Sequence, residues 1–258
     1  MRIISSNSDF AISGVFGKAT KVLREHYWGI ALVNVCMFVV VGLSSTLAPY
    51  FRDESEVLSI VLALLFILLY ATLGLSLFKI ILTILNHEKK PNRMDYLPSF
   101  EELVRYLLAV LFLLLLAIGL AVVILVVAFP LVYTGIDVST VLSMGAGISG
   151  LVLFVFFLRV AFYPFFILDQ RIGAWASIKA SYSITKNYIF KIILVVLLFV
   201  LIHVLQGYVA MIWGASAGAV VGVLNAFFIT PFYVVTLGVT YKRMLRVDEK
   251  KEMQMEGQ

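Results

Sequence analysis

Six stretches of this chain, at about 29–48, 57–85, 103–129, 141–168, 189–211 and 215–240, are almost wholly apolar and contain no Asp or Glu. Each reaches the about 20 residues that an α-helix needs to cross a bilayer's hydrocarbon core. In that solvent every backbone N–H and C=O must be satisfied within the segment, and runs this long satisfy them as helices. The expected fold is all-α: a polytopic membrane protein with six transmembrane helices. Composition agrees, since 14% of the 258 residues are charged, against roughly 25% in soluble domains. Residues 1–245 form one six-span membrane domain on this reading, and 246–258 a short polar tail. Residues 1–28 are too mixed for the charged start of a cleaved signal, so the first span is expected to stay.

The connections set a direction. Those after the first, third and fifth spans are short, and their one basic residue, Arg52, stands beside Asp53, Glu54 and Glu56. The opposite side carries Lys18, Lys21, Arg24, Lys89, Lys90, Arg93, Lys179, Lys186, Lys242, Arg243 and Arg246. The positive-inside rule then puts both termini in the cytoplasm of an inner-membrane, multi-pass protein. The excess of 20 Lys and Arg over 15 Asp and Glu is thereby a matter of orientation, and no nucleic-acid partner is expected.

Three segments on that side read as helical. In 12–27, Ile12, Val15, Phe16, Ala19, Val22, Leu23 and Tyr27 recur at i, i+3, i+4, i+7, with Lys18, Lys21 and Arg24 opposite. Two placements suit such an amphipathic helix: in the interface with its basic face on anionic headgroups, or packed under the bundle. Ser99 and Glu102 form a capping box that starts a helix at about Phe100. Before the fifth span, Trp175, Ile178, Tyr182 and Thr185 share a stripe, with Lys179 and Lys186 as interface residues. KATKVLREHYW (18–28) and KASYSITKNYI (179–189) are weakly alike, which suggests a duplicated unit of amphipathic helix and hairpin.

Residues 145–150, GAGISG, match a dinucleotide-binding G-x-G-x-x-G. That motif needs a preceding strand and a half-solvated helix. Here LVLFVFFLRVAFYPFFIL follows, apolar on every side, so the nucleotide reading fails. Small residues four apart, Ala146 and Gly150, and more fully Gly214, Gly218, Gly222 and Ala226, suit close helix packing. That packing serves either the bundle itself or a homo-oligomer seam.

Chemistry-bearing residues are few. There is no P-loop, H-E-x-x-H, C-x-x-C or G-x-S-x-G, and Cys36 has no second cysteine to pair with. His26, His87 and His203 stand far apart, so no metal site and no cofactor are expected. The absence of intramembrane carboxylates weighs against proton- or cation-coupled transport. Arg159 is the exception within a span. It needs a partner, and Asn34, Asn225, helix carbonyls freed by a kink at Pro164 or an anionic lipid phosphate could each serve. Lys79, near its helix end, can snorkel, and His203 with Gln206 suits interhelical hydrogen bonding. Pro130, Pro164 and Pro231 interrupt three spans.

The stretch RVAFYPFFILDQRIGAWASIKASYSITKNYIFKIILVVLLFVLI resembles the signature region of a broad bacterial multi-pass family. That family includes uncharacterised membrane proteins and the membrane domain of some glycerophosphodiester phosphodiesterases. The pattern falls on Arg159, Pro164, Asp169, Ala176 or Ala180, Ser181, Thr185 and Lys186, echoed by Pro231 and Tyr241, over about residues 150–245. The chain departs from it at Asn187, where the family often has Gly, and carries no phosphodiesterase domain. The resemblance implies an architecture and no activity.

Three functions remain open: a non-enzymatic scaffold or lipid-organising component, a transporter or lipid-handling protein with an anion site at Arg159, and a membrane enzyme. For the last, Asp169, Lys179 and Lys186 are the sole candidates, and they suggest no reaction. The expected partners are membrane lipids, anionic ones among them, proteins at the cytoplasmic face and a second copy of the chain.

Overall fold

A computed structural model describes residues 12–52, 55–86, 96–135 and 137–256. His87, Lys89, Lys90, Arg93, Asp53 and Glu54 lie outside the described residues. The fold is all-α, with no strand among the described residues. Six helices are long and apolar enough to cross a membrane. Among the described residues eight α-helices follow one another: α1 (Ile12–Arg52), α2 (Glu56–Leu85), α3 (Phe100–Ala128), α4 (Val138–Val160), α5 (Tyr163–Asp169), α6 (Ala174–Thr185), α7 (Ile189–Leu224) and α8 (Thr230–Glu256). A 3-10 turn (Phe129–Thr134) extends α3, and a π-helical turn (Asn225–Ile229) joins α7 to α8. The described residues fall into two compact units, one drawn from Met1–Leu103 with Phe190–Gln258 and the other from Val104–Ile189.

In the first unit, α1 contains a non-helical residue, His26 (φ −124°, ψ 21°), which sets off a limb over residues 12–25 from the rest of the helix. The limb buries Val15, Ala19 and Val22, at i, i+4 and i+7, and Phe16 stacks on Phe232 of α8 with centroids 5.8 Å apart. Ser55 caps α2, its hydroxyl accepting from the Leu58 N–H at 3.4 Å. At the start of α3 the expected capping box forms: the Ser99 N–H donates to Glu102 Oε2 (2.8 Å) and the Glu102 N–H to Ser99 Oγ (3.2 Å). Lys79 Nζ joins it, 2.9 Å from Glu102 Oε2 and 3.1 Å from the Leu97 carbonyl. Inside α7, Gly214 turns the chain with φ 85° and ψ 175°, a conformation that disfavours any residue with a Cβ. The fifth and sixth spans therefore form a hairpin.

In the second unit the core is Ala109, Leu113, Val160, Ile167, Ala174 and Ile178, flanked by Tyr106, Phe156 and Tyr163. The Tyr106 and Tyr163 rings stack with centroids 5.7 Å apart, and Asp137 caps α4 by accepting from the Ser139 N–H at 3.0 Å. In its most apolar stretch α3 is only 6% buried. Leucines and valines exposed in such numbers would make a soluble protein aggregate; hydrocarbon covers them at no cost.

The residues 145–150 lie inside α4, with no strand before them among the described residues, whereas the dinucleotide motif spans a strand-to-helix turn. Their packing differs from the stripe expected. Gly145 and Ser149 are buried, with Leu125 Cδ2 2.9 Å from where a Cβ on Gly145 would stand, whereas Ala146 and Gly150 face open space.

Candidate functional site

Three polar arrangements stand out, each built within one unit. The first, in the second unit, surrounds Arg159. Between α4 and α5 the helix stops at Val160 and restarts at Tyr163 ahead of Pro164, which has no N–H to continue the ladder. Terminal carbonyls are thereby left over. The Arg159 carbonyl accepts from Ser181 Oγ and Thr185 Oγ1, both at 3.0 Å, and the Phe162 N–H donates to Ser181 Oγ at 3.1 Å. Ser181 and Thr185, one turn apart on α6 and fully buried, therefore repair a break in another helix. The Arg159 side chain turns to the same helix: Nη2 donates to the Tyr182 carbonyl at 3.0 Å, and Cζ lies 3.4 Å from the Tyr182 ring centroid. Its Nε is buried with no partner among the described residues.

Asn34 and Asn225 belong to the other unit, and each has bonds of its own. Asn34 Nδ2 donates to the Ile30 carbonyl at 2.9 Å. Asn225 opens the π-turn and enters the second arrangement, where its Nδ2 lies 2.8 Å from Gln206 Oε1 and 3.2 Å from His203 Nε2. His203 Nδ1 is 2.8 Å from the Phe199 carbonyl, and Asn225 Oδ1 is buried without a partner among the described residues. His203 also edges an apolar recess of 450 Å³ with Val196, Phe199, Val200, Val204 and Tyr233. The π-turn is held from outside as well. Pro231 cannot donate to the carbonyl four residues back, Phe227, and the Tyr27 hydroxyl donates there at 2.9 Å.

Of the small residues expected to pack, Gly214 serves the turn. A Cβ on Gly218 would come 2.6 Å from Ala210 Cβ, one on Gly222 would come 3.2 Å from Gln206 Nε2, and Ala226 is buried. Close approach within the hairpin accounts for Gly218 and Gly222.

The third arrangement is cationic and joins the limb of α1 to α8. Gly14 faces Arg243 so closely that a Cβ would lie 2.7 Å from Nη2 and 2.8 Å from Nη1. Lys18, one turn beyond Gly14, is held below the ordinary lysine range by partial burial first, and then by the charges of Arg246 and Arg243. Lys21 and Arg24 are exposed on the same limb, while Lys179 and Lys186 are exposed at α6 in the other unit. The sequence shows the i, i+3 spacing of Arg243 and Arg246, but not that Arg243 packs against Gly14.

No group of three or more His, Cys, Asp or Glu that could hold a metal occurs among the described residues. No family model, no curated protein and no solved structure matches the chain.

Proposed function

We propose that this protein is a non-enzymatic, lipid-organising component of the inner membrane that gathers anionic phospholipid headgroups at its cytoplasmic face. The observation that carries this reading is the gathering of cations where α1 packs on α8: the Arg243 guanidinium lies against Gly14, Lys18 follows one helical turn on, and Arg246 follows Arg243 by three residues. Like charges brought together repel, and a bound headgroup phosphate converts that repulsion into attraction. Each cation near an anionic surface contributes about 1 kcal/mol, so Lys18→Gln with Arg246→Gln weakens binding about 30-fold. Native mass spectrometry from mixed-lipid nanodiscs tests this: the wild type retains phosphatidylglycerol over phosphatidylcholine, and the double variant loses that preference. Equal retention of the two lipids by the wild type refutes the reading.

A second reading, a carrier with an anion site at Arg159, is favoured by one observation, the unpartnered buried Nε of that residue. For it to hold, the guanidinium must leave Tyr182 for its ligand. Arg159→Lys keeps the charge but not the planar fork. A carrier then loses solute uptake in proteoliposomes at unchanged stability, whereas a purely structural arginine changes stability alone.

A further inference from the structure

The recess edged by His203 is built by α7 and α8 alone and shares no residue with the cationic cluster. At 450 Å³ it falls within the about 300–1,000 Å³ of small-molecule sites. Among valines and Phe199 it has two polar side chains, His203 and Tyr233. The Tyr233 ring packs on that of Phe199, centroids 4.7 Å apart, and its hydroxyl has no hydrogen-bond partner among the described residues. Unlike Asn225 Oδ1, that hydroxyl is not sealed from the surface. Tyr233 stands nine residues before Lys242, the first charge beyond it, which is about 14 Å of helix into a hydrocarbon core about 30 Å thick. At that depth lipid offers methylene groups and no hydrogen-bonding atoms, because acyl ester carbonyls stay in the interface. His203 adds no free lone pair. Its Nδ1 lies 2.8 Å from the Phe199 carbonyl and its Nε2 3.2 Å from Asn225 Nδ2. A singly protonated ring thus has its acceptor taken, and a doubly protonated one has none. A phenol donates its hydrogen more strongly than its ring-delocalised oxygen accepts one. The matching ligand dissolves in hydrocarbon, is flat enough to lie on aromatic rings, and carries oxygen acceptors without donors.

We infer that this recess binds the ring of a membrane-soluble quinone, with the Tyr233 hydroxyl donating to one of its carbonyls and Phe199 beside the ring. A quinone has acceptors only, so nothing it brings goes unmatched. The corresponding quinol brings two hydroxyl hydrogens, and the recess has no free side-chain acceptor for them beyond the phenol oxygen itself.

The test is native mass spectrometry of the full-length protein in nanodiscs loaded in turn with decyl-substituted para-benzoquinone, its quinol kept under anaerobic conditions, and decylbenzene. The wild type is expected to retain the quinone about tenfold more strongly than decylbenzene, for one hydrogen bond formed in apolar surroundings. Tyr233→Phe removes that margin. Because the hydroxyl bonds nothing in the protein, the same variant leaves the unfolding midpoint in sodium dodecyl sulfate unchanged or higher, so misfolding does not mimic the effect. Val200→Phe, at an exposed position on the rim, fills the recess and lowers retention of quinone and decylbenzene together. Equal retention of those two by the wild type overturns the inference and makes the recess a seat for acyl chains. Full quinone retention by Tyr233→Phe or by Val200→Phe also overturns it, since the quinone then sits elsewhere. Quinol held as tightly as quinone refutes the acceptor-only assignment. The lipid-organising reading stands or falls on anionic headgroups and is untouched by each of these results.

Discussion

Replacing Ser181 by Ala and Thr185 by Val takes every side-chain donor described here away from the Arg159 carbonyl while nearly preserving volume. Ser181 stands in two bonds, accepting from the Phe162 N–H and donating to the Arg159 carbonyl. Thr185 Oγ1 lies within 3.2 Å of the Arg159, Ser181 and Tyr182 carbonyls, but its single hydrogen serves one of them at a time. The double variant therefore strands the N–H of the buried Phe162 and the carbonyl of the half-buried Arg159. Each stranded group costs about 1–3 kcal/mol, and compensation by other groups is limited because a proline holds the break open. The sum expected is about 2–4 kcal/mol, with Thr185→Val alone near the bottom of the range for one group. Unfolding in mixed micelles of rising sodium dodecyl sulfate, followed by Trp175 fluorescence, measures it. Trp175 lies on α6 with its ring 6.2 Å from that of Phe112, and replacing Trp28 and Trp213 by Phe isolates the signal. A loss below about 0.5 kcal/mol for the double variant would show that α4 and α5 settle their own carbonyls, and that α6 is not the repairing element.

Five further outcomes follow from the same structure. Tyr27→Phe leaves the Phe227 carbonyl with no substitute for the N–H that Pro231 lacks, costs about 1–2 kcal/mol and speeds amide exchange around the π-turn. Gly218→Ala destabilises the hairpin by about 1–3 kcal/mol, because its Cβ would stand 2.6 Å from Ala210 Cβ. Gly207→Ala, with nothing within 4 Å, raises the midpoint of the same unfolding curve. Hydrogen bonds from Ser139 hold the Asp137 carboxyl below its ordinary range. A depressed folded-state value stabilises above the unfolded pKa of about 3.9 and fades as pH falls through the folded one; Asp137→Asn removes that component, and midpoints recorded from pH 6 to 2 reveal it. If both termini are cytoplasmic, a fluorescent reporter joined after Gln258 glows and a periplasm-dependent phosphatase joined there is inactive.

The spans, with the short gap between residues 211 and 215, and the capping box at Ser99 and Glu102 were legible in the sequence, because each depends on residues a turn or a few positions apart; that Gly214 makes the turn instead of joining the packing stripe was not. The packing phase of α4 was not. A helix that is apolar all round gives no amphipathic stripe from which to read a buried face, so nothing in GAGISG distinguishes Gly145 and Ser149 from Ala146 and Gly150. The partner of Arg159 was also hidden, since it lies 23 residues away on α6. Its approach depends on a helix break whose position Pro164 suggests but does not fix. The π-turn at Asn225 left no local mark, and the packing of Gly14 against Arg243 joins opposite ends of the chain. Contacts closed over short loops can be read from spacing; those closed by the packing of distant helices need the fold.

Apolar helices in lipid have little to stop them from sliding or rotating against one another, because one leucine contact resembles the next. The His203 cluster supplies a pin. The Phe199 carbonyl can only accept, so the His203 nitrogen that faces it carries a proton; where Nε2 carries none, it offers a lone pair. Asn225 must then turn its amide nitrogen toward His203, and its remaining hydrogen obliges Gln206 to present oxygen. One backbone carbonyl thus sets a polarity that runs through three side chains and across the hairpin. Rotating either helix by one residue would break that order at every step, so these few polar atoms dictate alignment where the surrounding hydrocarbon is indifferent to it.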